Sequence, residues 1–305
     1  MVRYGTNLLA HARVTMLSTH APFQSHMRLN AFIAGIALMM THCVSHQQQN
    51  TVDRIHPREH HAITGSQLVE RTQGMTNEER EQVIVRELNS GNIPNFLRHL
   101  KPVHTTYEYA DGDTLNATFW VMPDYLAVGS DDDFIRVPVT ANTAQLIADV
   151  FGFTLPTTKM VDLIYQQANT KLTPQPMPTS ERMQSIGYIF SHQLKIEGQL
   201  SNVPRTDLIA GHKKDVVLTT KLKDASNKIA TYGWHTSNDE VLQPLYLHDV
   251  KSALDYSHGV RLVSSIMSVN GEDRLVSQVL QNWRLAPLIS AEGALLHTRV
   301  PSVAN

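Results

Sequence analysis

Cysteine is almost absent from this chain of 305 residues: Cys43 stands alone, so no intrachain disulfide can form. The same scarcity excludes a thiolate metal cluster, and it leaves no cysteine nucleophile anywhere after residue 43. An excess of one charge is also missing. Against 28 acidic residues stand 26 Lys and Arg, for a net charge of -2. A general nucleic-acid binder needs a basic footprint, so that class is set aside. Charged residues are 18% and aromatic residues 7% of the chain, while hydrophobic residues reach 42%. That balance suits a globular protein with a substantial core and is wrong for disorder. Histidine is plentiful at 16, but the run from His11 to His61 is irregularly spaced and reads as composition, not as a metal site.

No apolar run is long enough to span a bilayer as a mature helix. The one apolar run of note, Ala31–Met40, follows Arg28 and Asn30 and ends shortly before Cys43. A short apolar stretch behind a basic residue suits the h-region of a signal peptide. With a start at Met27 it resembles a bacterial lipoprotein signal ending at Cys43, although His42 occupies a place where a small residue is usual. The expectation is an exported, periplasmic protein, held at the membrane by this segment or a lipid anchor, or secreted. Residues 44–74 are polar, with Gln47-Gln48-Gln49, and read as a tether.

The remainder divides by its punctuation. Thr76 with Glu79 forms a capping box that opens a helix to about Ser90, with Gly91 as its stop. Asp111-Gly112 between His104–Tyr109 and Leu115–Val121 is a hairpin signal. Ser130-Asp131-Asp132-Asp133 lacks the glycine and distal glutamate of a calcium loop and is expected to be a solvated turn. Helices are predicted over Thr140–Phe151, Lys159–Ala168 and Ser180–Leu200, with Pro174, Pro176 and Pro178 as a stiff boundary between them. Strands follow over Asp215–Thr220, Ile229–His235, Val241–Leu247 and Gly259–Val269, then a helix over Glu272–Leu280. The fold class is therefore α+β, with antiparallel strands, helices in the N-terminal and middle parts, and a C-terminal sheet carrying the site. Its expected parts are a signal-like segment 1–43, the tether 44–74, an α+β subdomain 75–173 and a second one 174–305.

Chemistry-bearing residues concentrate between Gly211 and Leu262. His212, Asp215, His235, Asp255, Ser257 and His258 fall near strand ends, where loops place reactive groups on a rigid frame, and are the catalytic candidates. Lys213 and Arg261 are the candidates for an anionic group, and Tyr232, Trp234 and Tyr246 for an aromatic-lined cleft. No His-Glu-x-x-His or Gly-x-Ser-x-Gly motif is present, so no metal and no cofactor is expected. If Asp255–Leu262 is extended, Ser257 and His258 point to opposite faces, and His235 becomes the natural base for Ser257. The competing reading of each residue is structural: a solvated Lys213-Lys214 turn, an Asp255–Arg261 ion pair, and aromatics capping a core edge.

Two resemblances add to this. Asn95-Phe96-Leu97-Arg98, the run Pro123–Phe134, the run Leu155–Asp162, Gly211–Val217 and Asp255–Leu262 together resemble a family of functionally uncharacterised exported bacterial proteins. Ser257-His258-Gly259-Val260-Arg261-Leu262 is also similar to the Ser-His-Gly-Cys-x-Arg signature of L,D-transpeptidases, with Tyr232-Gly233-Trp234-His235 upstream where that family keeps a histidine-bearing strand. Val260 directly follows Gly259, so the family's cysteine is missing and thiol transpeptidation is excluded. The expectation is a cell-envelope hydrolase or transferase of amide- or ester-type bonds, its partner a peptidoglycan-like polymer or small molecule. The alternative is a non-catalytic envelope binding protein using the aromatic cleft.

Overall fold

The computed structural model describes residues 52–223, 225, 228–249 and 255–301. The apolar run before Cys43, and that cysteine itself, lie outside the described residues. Among the described residues, no helix is long and apolar enough to cross a membrane.

The fold is α+β. Helix α1 (Gly65–Thr72) and helix α2 (Asn77–Asn89) both start at complete capping boxes, Thr64 with Gln67 and Thr76 with Glu79. In each the threonine hydroxyl accepts an otherwise orphaned amide and the N3 side chain returns the favour. The first of these helices lies where a tether was expected; Leu68 is wholly buried, so this stretch belongs to the core. Gly91 ends the second with φ 79°, and a Cβ there would meet the His56 carbonyl oxygen at 1.9 Å. Only glycine lets residues 52–64 lie against the helix end.

Strands β1 (Lys101–Glu108) and β2 (Thr114–Val121) form the expected hairpin across Asp111-Gly112. After them come β3 (Ala127–Gly129) and β4 (Phe134–Arg136), joined by the acidic turn. That turn keeps Asp132 exposed and Asp131 and Asp133 half-exposed, as a solvated turn should, and it also caps two helix starts. Asp133 Oδ1 accepts the Ser66 amide at 2.9 Å, and Asp131 Oδ1 accepts the Phe96 amide at 3.1 Å. Helix α3 (Ala141–Phe151), short strand β5 (Phe153–Thr154), helix α4 (Thr158–Gln167), β6 (Thr170–Lys171) and helix α5 (Ile186–Gln199) complete the middle of the chain.

The second half supplies β7 (Ile209–Ala210), β8 (Lys214–Val216), β9 (Lys228–His235), β10 (Val241–Asp249), β11 (His258–Gly259), β12 (Val263–Val269), β13 (Glu272–Leu275) and helix α6 (Val276–Gln281). The single strand expected over Gly259–Val269 is two strands in two sheets. β11 pairs in parallel with β8, completing a sheet ordered β10-β9-β8-β11, whereas β12 joins β2 in the sheet β1-β2-β12-β13. Glu272–Leu275 likewise forms a strand where a helix was expected, because Asn270 and Gly271, at φ 50° and 85°, turn it back onto β12.

Because β2 precedes and β12 follows the proline-rich segment, one sheet contains strands from both halves. A common core joins Leu88, Phe119, Ile147, Met160, Val263 and Met267. The segment itself is pinned, with the Met177 amide donating to the Tyr256 hydroxyl at 2.8 Å.

Candidate functional site

Gly211 begins the site. Its φ is 99°, and a Cβ would lie 2.5 Å from the Leu172 carbonyl oxygen, so the chain can bend tightly against β6 before entering β8. The bend drives His212 and Lys213 inward, at 0% and 1% exposure. This corrects the solvated-turn reading of Lys213-Lys214.

His212 Nε2 donates to Asp124 Oδ1 at 3.1 Å. Arg136 grips the same carboxylate with Nε at 3.0 Å and a terminal nitrogen at 2.5 Å. Its other terminal nitrogen reaches Gln193 and Glu197 on α5, at 3.0 and 2.8 Å. Burial raises the Asp124 pKa, but Arg136 and His212 outweigh it and hold the carboxyl well below the usual range. Burial lowers His212 to about 4, so at neutral pH it is the uncharged donor of a fixed tautomer.

Lys213 Nζ donates to the Tyr256 carbonyl at 2.5 Å and to His192 Nδ1 at 3.2 Å. Burial, helped by Arg136, lowers its pKa to about 7. Asp215 accepts from the Tyr125 hydroxyl at 2.7 Å, and burial raises it to about 6 against the pull of Arg261. Arg261 lies over the Tyr125 ring at 4.1 Å and donates to the carbonyls of Ile209 and Met122 at 2.7 and 3.2 Å. It is thus a fully buried strut, and among the described residues it makes no ion pair with Asp255.

Asp255, Tyr256 and Ser257 form a turn instead of the extended run expected. Asp255 Oδ1 accepts both the amide and the hydroxyl of Ser257, at 2.6 and 2.5 Å. His258 then enters β11 with its Nε2 3.9 Å from Asp255 Oδ2. Both His258 ring nitrogens are buried and have no hydrogen-bond partner. Burial lowers this imidazole to about 4, the nearby Asp255 only partly opposing it.

His235 does not meet Ser257. Its Nε2 donates to Asp162 Oδ1 at 2.9 Å, its ring stacks on Tyr165 at 4.3 Å, and the Tyr232 hydroxyl reaches the same Asp162 oxygen at 2.8 Å. In a regular strand, residues 232 and 235 face opposite ways. Here Gly233 and Trp234 have φ 121° and 58°, and these two left-handed residues bring Tyr232 and His235 to one carboxylate. The predicted aromatic cleft is dispersed by the same distortion. Trp234 is buried beneath Lys214, whose Nζ lies 4.6 Å from the ring, while Tyr246 is 55% exposed on β10.

Apart from Trp234 and Tyr246, the predicted residues divide among three places: His212, Lys213, Asp215 and Arg261 in a buried ionic network, Asp255, Ser257 and His258 in a turn beside it, and His235 with Tyr232 on Asp162. Asp124, Arg136, His192, Asp162 and His248 take part without having been singled out. His248 lies on β10 with its ring 5.5 Å from that of His258. Asp124 and Asp162 were within the quoted runs Pro123–Phe134 and Leu155–Asp162, but no local spacing marks them as partners of histidines about 70 to 90 residues away. Among the described residues no group of three or more His, Cys, Asp or Glu is arranged to hold a metal ion. No protein family, curated protein or solved structure matches the chain.

Proposed function

We propose that this is a cell-envelope hydrolase or transferase of amide- or ester-type bonds, with His258 as its base. The observation that carries the reading is the wholly buried His258 ring with two unpaired nitrogens. Buried polar groups are almost always satisfied, and an unsatisfied neutral one is open to a hydrogen bond from water or a substrate group. The lowered pKa keeps the imidazole free at neutral pH. Asp255 stands where it would steady an imidazolium. The Ser257 proton is directed at that carboxylate, not at the imidazole. Water is therefore the better nucleophile: His258 takes its proton as the oxygen attacks the carbonyl carbon, then returns it to the leaving amine or alkoxide. Lys214, close enough to Asp255 to act on it electrostatically, would meet an anionic part of the substrate.

The test is turnover of peptidoglycan fragments and simple esters. His258→Gln should reduce the rate about 10²–10⁴-fold with the fold retained. Wild-type protein without turnover on this panel, together with a melting temperature raised by His258→Phe, would defeat the reading. The non-catalytic envelope binding protein is the second reading. It is favoured by one observation: His212, Lys213, His258 and Arg261 are between 0% and 2% exposed.

A further inference from the structure

Away from this turn, the exposed face of α4 borders a cavity of about 600 Å³, lined by Lys159, Asp162, Leu163, Tyr107, Pro287 and Ala291 among others. Its size falls in the range of small-molecule sites. Two opposite charges, one helical turn apart, share this wall. At that spacing they would ordinarily pair, yet no Lys159–Asp162 ion pair is present among the described residues. Each charge is tethered separately. Lys159 Nζ donates to the Pro287 carbonyl and lies 5.6 Å from the Tyr107 ring centre. Asp162, which lines the cavity, receives Tyr232 and His235 on the same oxygen, Oδ1, so neither of them occupies Oδ2. A carboxylate oriented from behind by the buried His235 and the half-buried Tyr232, beside a cation held apart from it, is a preorganised pair of poles.

We propose that this cavity binds a small zwitterion of the amino-acid class. Its ammonium group meets Asp162 Oδ2, its carboxylate meets Lys159, and its side chain lies along Tyr107, Leu163 and Pro287. A zwitterion satisfies both poles at once, whereas a simple amine or a simple acid leaves one charge facing the ligand's apolar part. Charge-assisted contacts of this kind supply specificity as well as energy. The site is separate from the His258 turn, so either assignment can fail without the other.

The experiment is calorimetric titration of the full chain with each of the standard amino acids, and with the decarboxylated amine and deaminated acid of any that bind. At least one amino acid should bind saturably, and both truncated analogues should bind at least tenfold more weakly. Asp162→Asn and Lys159→Met should each weaken binding at least tenfold. Ala291→Trp, at an exposed position of the cavity wall, should block binding while leaving both charges and the melting temperature unchanged. Absence of binding by every amino acid, equal binding of the truncated analogues, or binding that survives Ala291→Trp would overturn the proposal.

Discussion

His212 and Asp124 meet in the core at 3.1 Å although 88 positions separate them in the chain, and Arg136 closes the far side of the same carboxylate. Removing one member leaves the others charged or polar with nowhere to go. Asp124→Ala or Arg136→Met should therefore cost roughly 3–5 kcal/mol, the usual penalty for stranding half of a buried ion pair. Urea denaturation measures it, and a loss below about 1 kcal/mol would show that water reaches the network.

Stability should fall as the pH drops from 6.5 towards 4. His212 and His258 keep their protons off in the native state down to about 4, mainly through burial, while the unfolded chain takes them up near 6.5. The unfolded state then binds more protons across that window and gains on the native one. Asp215, raised by burial to about 6, has the opposite sign, since native protein holds its proton between 3.8 and 6. His192, lowered by burial to about 2, acts in the same direction as the other two, so three histidines against one aspartate leave a net loss. Urea midpoints between pH 7 and 4.5 should show it, and His258→Gln should flatten the slope.

Gly259→Ala should destabilise by about 1–3 kcal/mol, as overpacking does. The new methyl would stand 2.6 Å from a Tyr125 ring carbon and 2.9 Å from Lys213 Cβ. Gly112→Ala is the control. It meets nothing within 4 Å and suffers only from its φ of 90°, at a cost near 1 kcal/mol. Equal melting temperatures for the two variants would place Tyr125 and Lys213 further from β11 than 2.6 and 2.9 Å.

Ser257→Ala separates two chemistries at the proposed site. Activated water predicts that turnover survives, because the serine hydroxyl is bonded to Asp255. Collapse of turnover, with loss of labelling by a serine-directed reagent, would make Ser257 the nucleophile instead.

Cys43→Ser tests the exported reading in a bacterial host. The substituted protein should move from the membrane fraction to soluble or unprocessed material. An unchanged distribution with Met1 still at the N-terminus would remove the lipoprotein proposal.

What the sequence determined by itself was local. The Thr76–Glu79 capping box, the Asp111-Gly112 hairpin and the Gly91 helix stop at φ 79° act over a few residues, so their chemistry is complete within the segment that carries it. The concentration of polar residues between Gly211 and Leu262 was legible for the same reason. Partnership was not. Asp162 holds His235 because two left-handed residues rotate the end of β9, and Asp124 holds His212 because sheet pairing and helix packing bring separate segments into one core. The Gly259–Val269 run also reads as one strand by periodicity, but the partners available on either side divide it between two sheets. Period and spacing say which way a side chain points along its own element. Which charge it meets is decided only when long-range packing excludes water and leaves a buried group one neighbour to satisfy it.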